Sequence, residues 1–217
     1  MKITKKQFQF DGIDYEFLGV HDEHIFKQVP WYEQKLLEYI QGLGLRGVYI
    51  DVGGNIGNHS LFFLNHCPST KLYVFEPEPL CYNILEGNLN VNARGKYTSF
   101  NYAVWDKEAL LNLVRFESYK NTGLSRVEEN KGQTIAVSLD GIIPINDKVV
   151  LLKIDTEGSE TQVLNGAINL IKMNMPAIIC EAAMEEEFKA INNILLPLGY
   201  SEPDQRFNAT PTYIWTV

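Results

Sequence analysis

The chain has little that could cross-link it. Only three cysteines occur in 217 residues, Cys67, Cys81 and Cys180. Their odd number and wide spacing exclude a disulfide framework and any zinc-binding spacing, so each is expected to act as a small hydrophobe. Positive charge is also scarce, with 19 lysines and arginines against 27 aspartates and glutamates, a net charge of −8. No basic run exceeds two or three residues. Affinity for nucleic acid comes largely from phosphate contacts, so no nucleic-acid partner is expected. Long apolar runs are missing: nothing approaches the roughly 20 residues of a membrane helix. Met1 to Phe10 carries lysines but no apolar core of a secretory signal. A cytoplasmic protein without a membrane span is the expectation. Repeats and low-complexity tracts are absent.

What is present is a core. Apolar residues make up 45% of the chain, enough for one domain over residues 31–217 behind an N-terminal extension of residues 1–30. Apolar runs alternate with helix-like segments, the pattern of a doubly wound α/β fold with a mostly parallel sheet. Strands are expected at Val48–Val52, Leu72–Glu76, Thr98–Val104, Val149–Ile154, Ala177–Cys180 and Thr212–Val217, with an extra pair at Leu111–Phe116 and Thr134–Ser138. Helices are expected at Trp31–Leu43, Asn58–Asn65, Leu80–Asn92, Thr161–Met173 and Glu186–Leu196. Ser118–Gly132 is polar and unpatterned and reads as a loop. The last helix, Leu198-Gly199-Tyr200 and Tyr213–Val217 fit a terminal antiparallel hairpin strand.

The most informative stretch is Asp51-Val52-Gly53-Gly54-Asn55-Ile56-Gly57. A buried strand ends in glycines, and a helix begins at Asn58. Such a turn presents backbone N–H groups to a ligand, and glycine permits close approach. The spacing D-x-G-x-N-x-G differs from the dinucleotide pattern G-x-G-x-x-G. It resembles motif I of S-adenosylmethionine (SAM) methyltransferases, whose acid faces the ammonium end of the cofactor; SAM would span Asp51 to Asn58. One βαβ unit later, Leu72–Phe75 ends in Glu76, a carboxylate suited to a ribose diol, followed by Pro77 near the adenine. Asn101 and Ala103, at the third strand's end, are candidates for the adenine edge.

Ligands of open parallel sheets bind at the carboxyl ends of strands, which puts Asp155 in the same crevice. Asp155 can act as general base on an acceptor hydroxyl or hold a divalent cation. Ser159 and Glu160 read as helix caps. Glu181 ends the next strand. Asp155, Glu157 and Glu181 would offer oxygen donors suited to Mg²⁺ or Mn²⁺, with Asp155 and Glu181 as the metal pair. A structural pairing of Glu181 with Lys153 is the competing reading. His59, in the first turn of its helix, is expected to be neutral and to touch cofactor or substrate. His24 is a candidate for the entrance. The Leu151–Glu160 segment is not the Asn/Asp-Pro-Pro-aromatic of amino methylation and holds no cysteine for pyrimidine attack, which points to oxygen as acceptor.

With these motifs the chain resembles the FkbM family of SAM-dependent methyltransferases. The likeness rests on Ile50–Gly57, Phe75-Glu76-Pro77, Leu139-Asp140, Lys153-Ile154-Asp155-Thr156-Glu157-Gly158-Ser159-Glu160, Val163–Ala167 and Glu181, with Gly54 where alanine is usual. The resemblance implies a seven-stranded Rossmann-like sheet and O-methylation of a sugar hydroxyl in a glycan or glycoconjugate. Trp31, Tyr32, Tyr119 and Asn121 are the residues expected to meet that acceptor. A lipid or protein acceptor, a NAD-linked oxidoreductase and a non-catalytic SAM-binding protein are the alternatives.

Overall fold

The computed structural model describes residues 2–21, 24–115, 125–129 and 132–217. The chain opens with a hairpin that the sequence reading left as an extension. β1 (Ile3–Phe10) and β2 (Ile13–Val20) pair antiparallel around Asp11-Gly12. Both turn residues have positive φ, 47° and 74°, the geometry that twists a two-residue hairpin correctly. After the short α1 (His24–Lys27), α2 (Gln34–Gly42) begins three residues later than expected. Glu33 ahead of it is left-handed, with φ 57° and ψ 38°, so the preceding residues cannot join the helix.

The main sheet follows the alternation of apolar runs. β3 (Gly47–Val52), α3 (Asn58–His66), β4 (Ser69–Phe75), α4 (Pro79–Asn92) and β5 (Tyr97–Phe100) form its first half. The expected strand Thr98–Val104 divides after Phe100. Its second part, β6 (Ala103–Val104), leaves for a small sheet with β7 (Ala109–Val114), β8 (Arg126–Glu128) and β9 (Thr134–Val137). Of the polar stretch Ser118–Gly132, the described part therefore contains a strand. Next come α5 (Leu139–Ile142), β10 (Val149–Ile154), α6 (Glu160–Asn165), α7 (Ile168–Asn174), β11 (Ala177–Glu181), α8 (Glu185–Leu195), β12 (Arg206–Phe207) and β13 (Thr212–Trp215). The expected helix Thr161–Met173 is two helices because the chain breaks at Gly166-Ala167. There the Gly166 carbonyl accepts from Asp140 N, and the Asp140 carboxylate caps α7 by accepting from Asn169 N and Leu170 N at 3.0 and 2.8 Å.

The seven strands lie in the order β12-β13-β11-β10-β3-β4-β5. Strands β11 to β5 run parallel, and β13 is antiparallel to β11. The fold is thus the doubly wound, mostly parallel sheet with an antiparallel terminal strand that the sequence indicated. Alternate residues feed two cores. Ile50, Val52, Leu152 and Ile154 pack with α6, α7 and α8, whereas Tyr49, Leu72, Val74 and Leu151 pack with α2, α3, α4 and the hairpin. Among the described residues, no helix is long and apolar enough to cross a membrane.

Two asparagines one helical turn apart pin the hairpin. Asn88 Oδ1 accepts from Leu18 N at 2.6 Å, and Asn88 Nδ2 donates to the carbonyls of Leu18 and Ile56 at 3.0 and 2.7 Å. Asn92 makes the same pair of bonds with Glu16, at 2.8 and 2.9 Å. Helix α4 thereby acts as a surrogate strand for β2. Asn88→Ala leaves three buried backbone groups unpaired, and urea unfolding is expected to show a loss of about 2–3 kcal/mol.

Candidate functional site

Register assembles the site. In the parallel ladder Lys153 sits opposite Asp51 of β3 and Ile179 of β11. Side chains two residues apart share a face of a strand, so Asp155 follows Lys153 on that face. Glu181 lies one residue beyond the Ile154–Cys180 pair, beside it. Lys153 Nζ reaches three oxygens: Asp51 Oδ1 at 3.1 Å, Asp155 Oδ2 at 3.3 Å and the Gly53 carbonyl, to which it donates at 3.0 Å. Burial opposes a charge on this lysine, but Asp51 and Asp155 outweigh it and raise its pKa.

Asp51 is fully buried and also accepts from Ser60 Oγ at 2.6 Å. It is not among the residues that line the cavity, and Lys153 and Ser60 engage its carboxylate. Lys153 thus pairs with Asp51 and Asp155, not with Glu181. Asp155 and Glu181 hydrogen bond to each other. Burial resists the charge on Asp155, yet Lys153 and the bond from Glu181 hold its pKa below the usual value. Burial and the adjacent Asp155 charge push Glu181 well up, so Glu181 carries the shared proton.

The glycine turn runs against this pair. Gly53 has φ 81°, and a Cβ there would lie 1.8 Å from the Asp155 carbonyl oxygen. At Gly54 a Cβ would come within 2.5 Å of Val74 and 2.8 Å of Leu85, so alanine would require both side chains to shift. Glu76 accepts backbone bonds from Asn55 N and Glu78 N, both at 2.8 Å. Burial raises its pKa to about 7 despite them.

One cavity of about 270 Å³ opens over these strand ends. Of the expected cofactor residues, Gly53, Asn55, Glu76, Pro77 and Ala103 line it. At its other end lie Asp155, Glu157 and Glu181, with carboxylate oxygens within 4.8 Å of one another. Tyr32 and His24 also contribute to the wall. Glu157 is left-handed at φ 56°; burial and then Asp155 raise its pKa to about 7. Glu160 caps this turn, accepting from Thr156 N, Thr156 Oγ1 and Gly158 N at 3.0–3.1 Å, whereas the Ser159 side chain makes no capping bond.

Five further candidates face the protein rather than the cavity. Asn58 accepts from Tyr32 N and donates to the Pro30 carbonyl, at 2.9 and 3.0 Å. His59 Nε2 donates to the Tyr32 carbonyl at 3.1 Å; burial, then Lys153, lowers its pKa to about 4, so it is neutral. Asn101 Nδ2 donates to the carbonyls of Glu76 and Pro77. Gly57 precedes α3 and packs on Leu85. Trp31 is buried among Phe10, Tyr15 and Phe62, with centroids 5.2–5.6 Å away. None of the five lines the cavity; they shape its walls from behind. Tyr119 and Asn121 lie outside the described residues. Sequence reasoning missed Tyr102 and Glu33, both in the cavity wall. Only the three-dimensional course of Pro30–Glu33 brings Glu33 there, and no local spacing signals it.

A family model described as "Methyltransferase FkbM domain" matches residues 51–202. "Methyltransferase sdnD" of Sordaria araneosa is 26% identical, over 54% of this chain and 59% of its own length. "Methyltransferase 1" of Beauveria bassiana is 25% identical, over 54% of this chain and 57% of its own. The chain therefore spans less than two thirds of these relatives. Among solved structures, a methyltransferase FkbM from Methylobacillus flagellatus superposes with a TM-score of 0.60 at 17% identity, over 79% of this chain and 44% of that one. M. jannaschii TYW2, solved in complex with AdoMet, gives 0.51 at 8% identity over 99% and 85%. These likenesses concern the fold.

The carboxyls raised to about 7 give the protein a pH signature. Glu33, Glu76 and Glu157 hold protons in the fold that the unfolded chain has released above its ordinary value of 4.5. Stability from these groups falls as pH rises from about 4.5 through 7. His59 acts oppositely, its contribution being lost as pH falls from 6.5 towards 4. Glu157→Gln mimics the protonated acid, so its melting temperature is expected to match wild type at pH 5 and exceed it at pH 8 in thermal scans.

Proposed function

The chain belongs to the FkbM methyltransferase family, and from that premise we propose that it is a SAM-dependent O-methyltransferase acting on a hydroxyl of a carbohydrate acceptor. The supporting observation is the pairing of Glu76 and Asp155 on either side of the Gly53 turn in a single cavity. Glu76 keeps lone pairs beyond its two backbone bonds, enough to accept from a ribose diol. Gly53 leaves open the space a side chain would fill, and the acidic end suits a cationic ligand. These features fit SAM, which supplies an activated methyl group when bound.

The protein's part is orientation and proton management. Asp155 is ionised and accepts a hydrogen bond from the acceptor hydroxyl. With SAM bound, Asp155 would take the hydroxyl proton as the methyl group passes from sulfur to the acceptor oxygen. Glu181 holds Asp155 in place through the shared proton, and Glu157 offers a further acceptor to neighbouring hydroxyls. An acceptor rich in hydroxyl donors suits such a wall, which with the family resemblance supports a sugar. The same three carboxylates form a donor set suited to Mg²⁺ or Mn²⁺.

Calorimetric titration should give micromolar SAM binding and none with NAD. Transfer of labelled methyl from SAM to a panel of sugars, with and without EDTA and Mg²⁺, then separates the two uses of Asp155. Turnover that persists in EDTA supports proton transfer, and turnover restored only by Mg²⁺ supports a metal. Asp155→Asn is expected to lower turnover about 10²–10⁴-fold with SAM affinity within a few-fold of wild type. Normal turnover by the variant would remove Asp155 from the chemistry.

A further inference from the structure

We propose that Glu33 receives the cationic α-ammonium group at the methionine end of SAM; the inference rests on the SAM reading above. The segment matched by the family model begins at residue 51, so Glu33 lies outside it.

Asp51 is the acid that precedes the glycine turn. The family resemblance gives that acid to the ammonium, yet here it is fully buried and engaged by Lys153 and Ser60. A carboxylate that lines the cavity is better placed to meet the positive charge. Asp155 is paired with Lys153 and shares a proton with Glu181. Glu33 lines the same cavity beside these groups. Among the described residues, its partner at ion-pair distance is His59, 3.7 Å away, whose imidazole is neutral. Tyr32 and Asn208 also hydrogen bond to it, while Asp155 and Lys153 act on it at longer range with opposite signs. Among the described residues, no lysine or arginine lies at ion-pair distance from its carboxyl.

Placement of this side chain is costly and deliberate in its geometry. Glu33 is left-handed, a conformation unfavourable for a residue with a Cβ. The first turn of α3 holds it there: Asn58 clamps Tyr32 N and the Pro30 carbonyl, and His59 donates to the Tyr32 carbonyl. The helix that follows the glycine turn thus presents a carboxylate to the cavity from another segment. Glu76 follows β4, across β3 from Asp155 in the strand order, so a nucleoside anchored at Glu76 could extend its cationic arm towards Asp155 and Glu33.

The test is calorimetry on the full chain with three probes: S-adenosylhomocysteine, the same molecule lacking its α-amino group, and 5′-methylthioadenosine. Wild type is expected to bind S-adenosylhomocysteine about tenfold or more tighter than the deamino analogue. Glu33→Gln is expected to bind the two equally, with methylthioadenosine affinity unchanged within about twofold. Glu33→Gly, which suits the left-handed backbone, should do the same and covers a folding defect in the first variant. A preference that survives in both variants, or none in wild type, overturns the assignment. Wild type that binds none of the three probes overturns the SAM reading itself.

Discussion

A buried lysine between two aspartates is the contact on which the site depends. Lys153 joins the ends of β3 and β10 through Asp51 and Asp155 and holds the glycine turn through the Gly53 carbonyl. Desolvating three charges is expensive, and the attraction between them offsets this only when the geometry is complete. The parallel register supplies that geometry by setting Lys153 opposite Asp51. The strands, the turn and the carboxylates at the cavity floor are therefore one electrostatic unit.

That unit decides the chemistry around it. With Asp51 neutralised, the negative charge left to the cavity comes from Asp155 and the less ionised glutamates nearby. Glu181 is protonated because two adjacent carboxylates in a buried site cannot both ionise. Burial raises the pKa of Glu76 to about 7, while two backbone N–H groups fix the direction of its carboxyl. Asn58, His59 and Asn101 spend their polar atoms on backbone groups of Pro30–Tyr32 and Glu76-Pro77. They shape the cavity without entering it.

Much of this was legible in the sequence. Val149–Ile154 was read to the residue, and the strands at Val48, Leu72 and Ala177 within a few positions, because buried parallel strands are continuous apolar runs. That Glu76, Asp155 and Glu181 share one cavity was legible because strand ends in such sheets face a common crevice. The pairing of Lys153 with Asp51 was not legible, since it depends on register between strands a hundred residues apart. The direction in which Asn58, His59 and Trp31 turn was hidden for a related reason. A motif indicates that a segment is near the ligand, but not which side chains turn towards it. The N-terminal hairpin was missed although Asp11-Gly12 sits between alternating apolar residues, a recognisable turn signal. The left-handed Glu33 and the break at Gly166-Ala167 arise from tertiary contacts that no local pattern records.

The account stands most directly on the Lys153 unit, and equilibrium unfolding of Lys153→Met tests it. Removing the cation leaves Asp51 buried without a countercharge. The expected loss is about 3–5 kcal/mol, typical of breaking one side of a buried ion pair, with much of it recovered in the Asp51→Asn, Lys153→Met double variant. A loss below about 1 kcal/mol, with no recovery in the double variant, would contradict the claim that this contact organises the site.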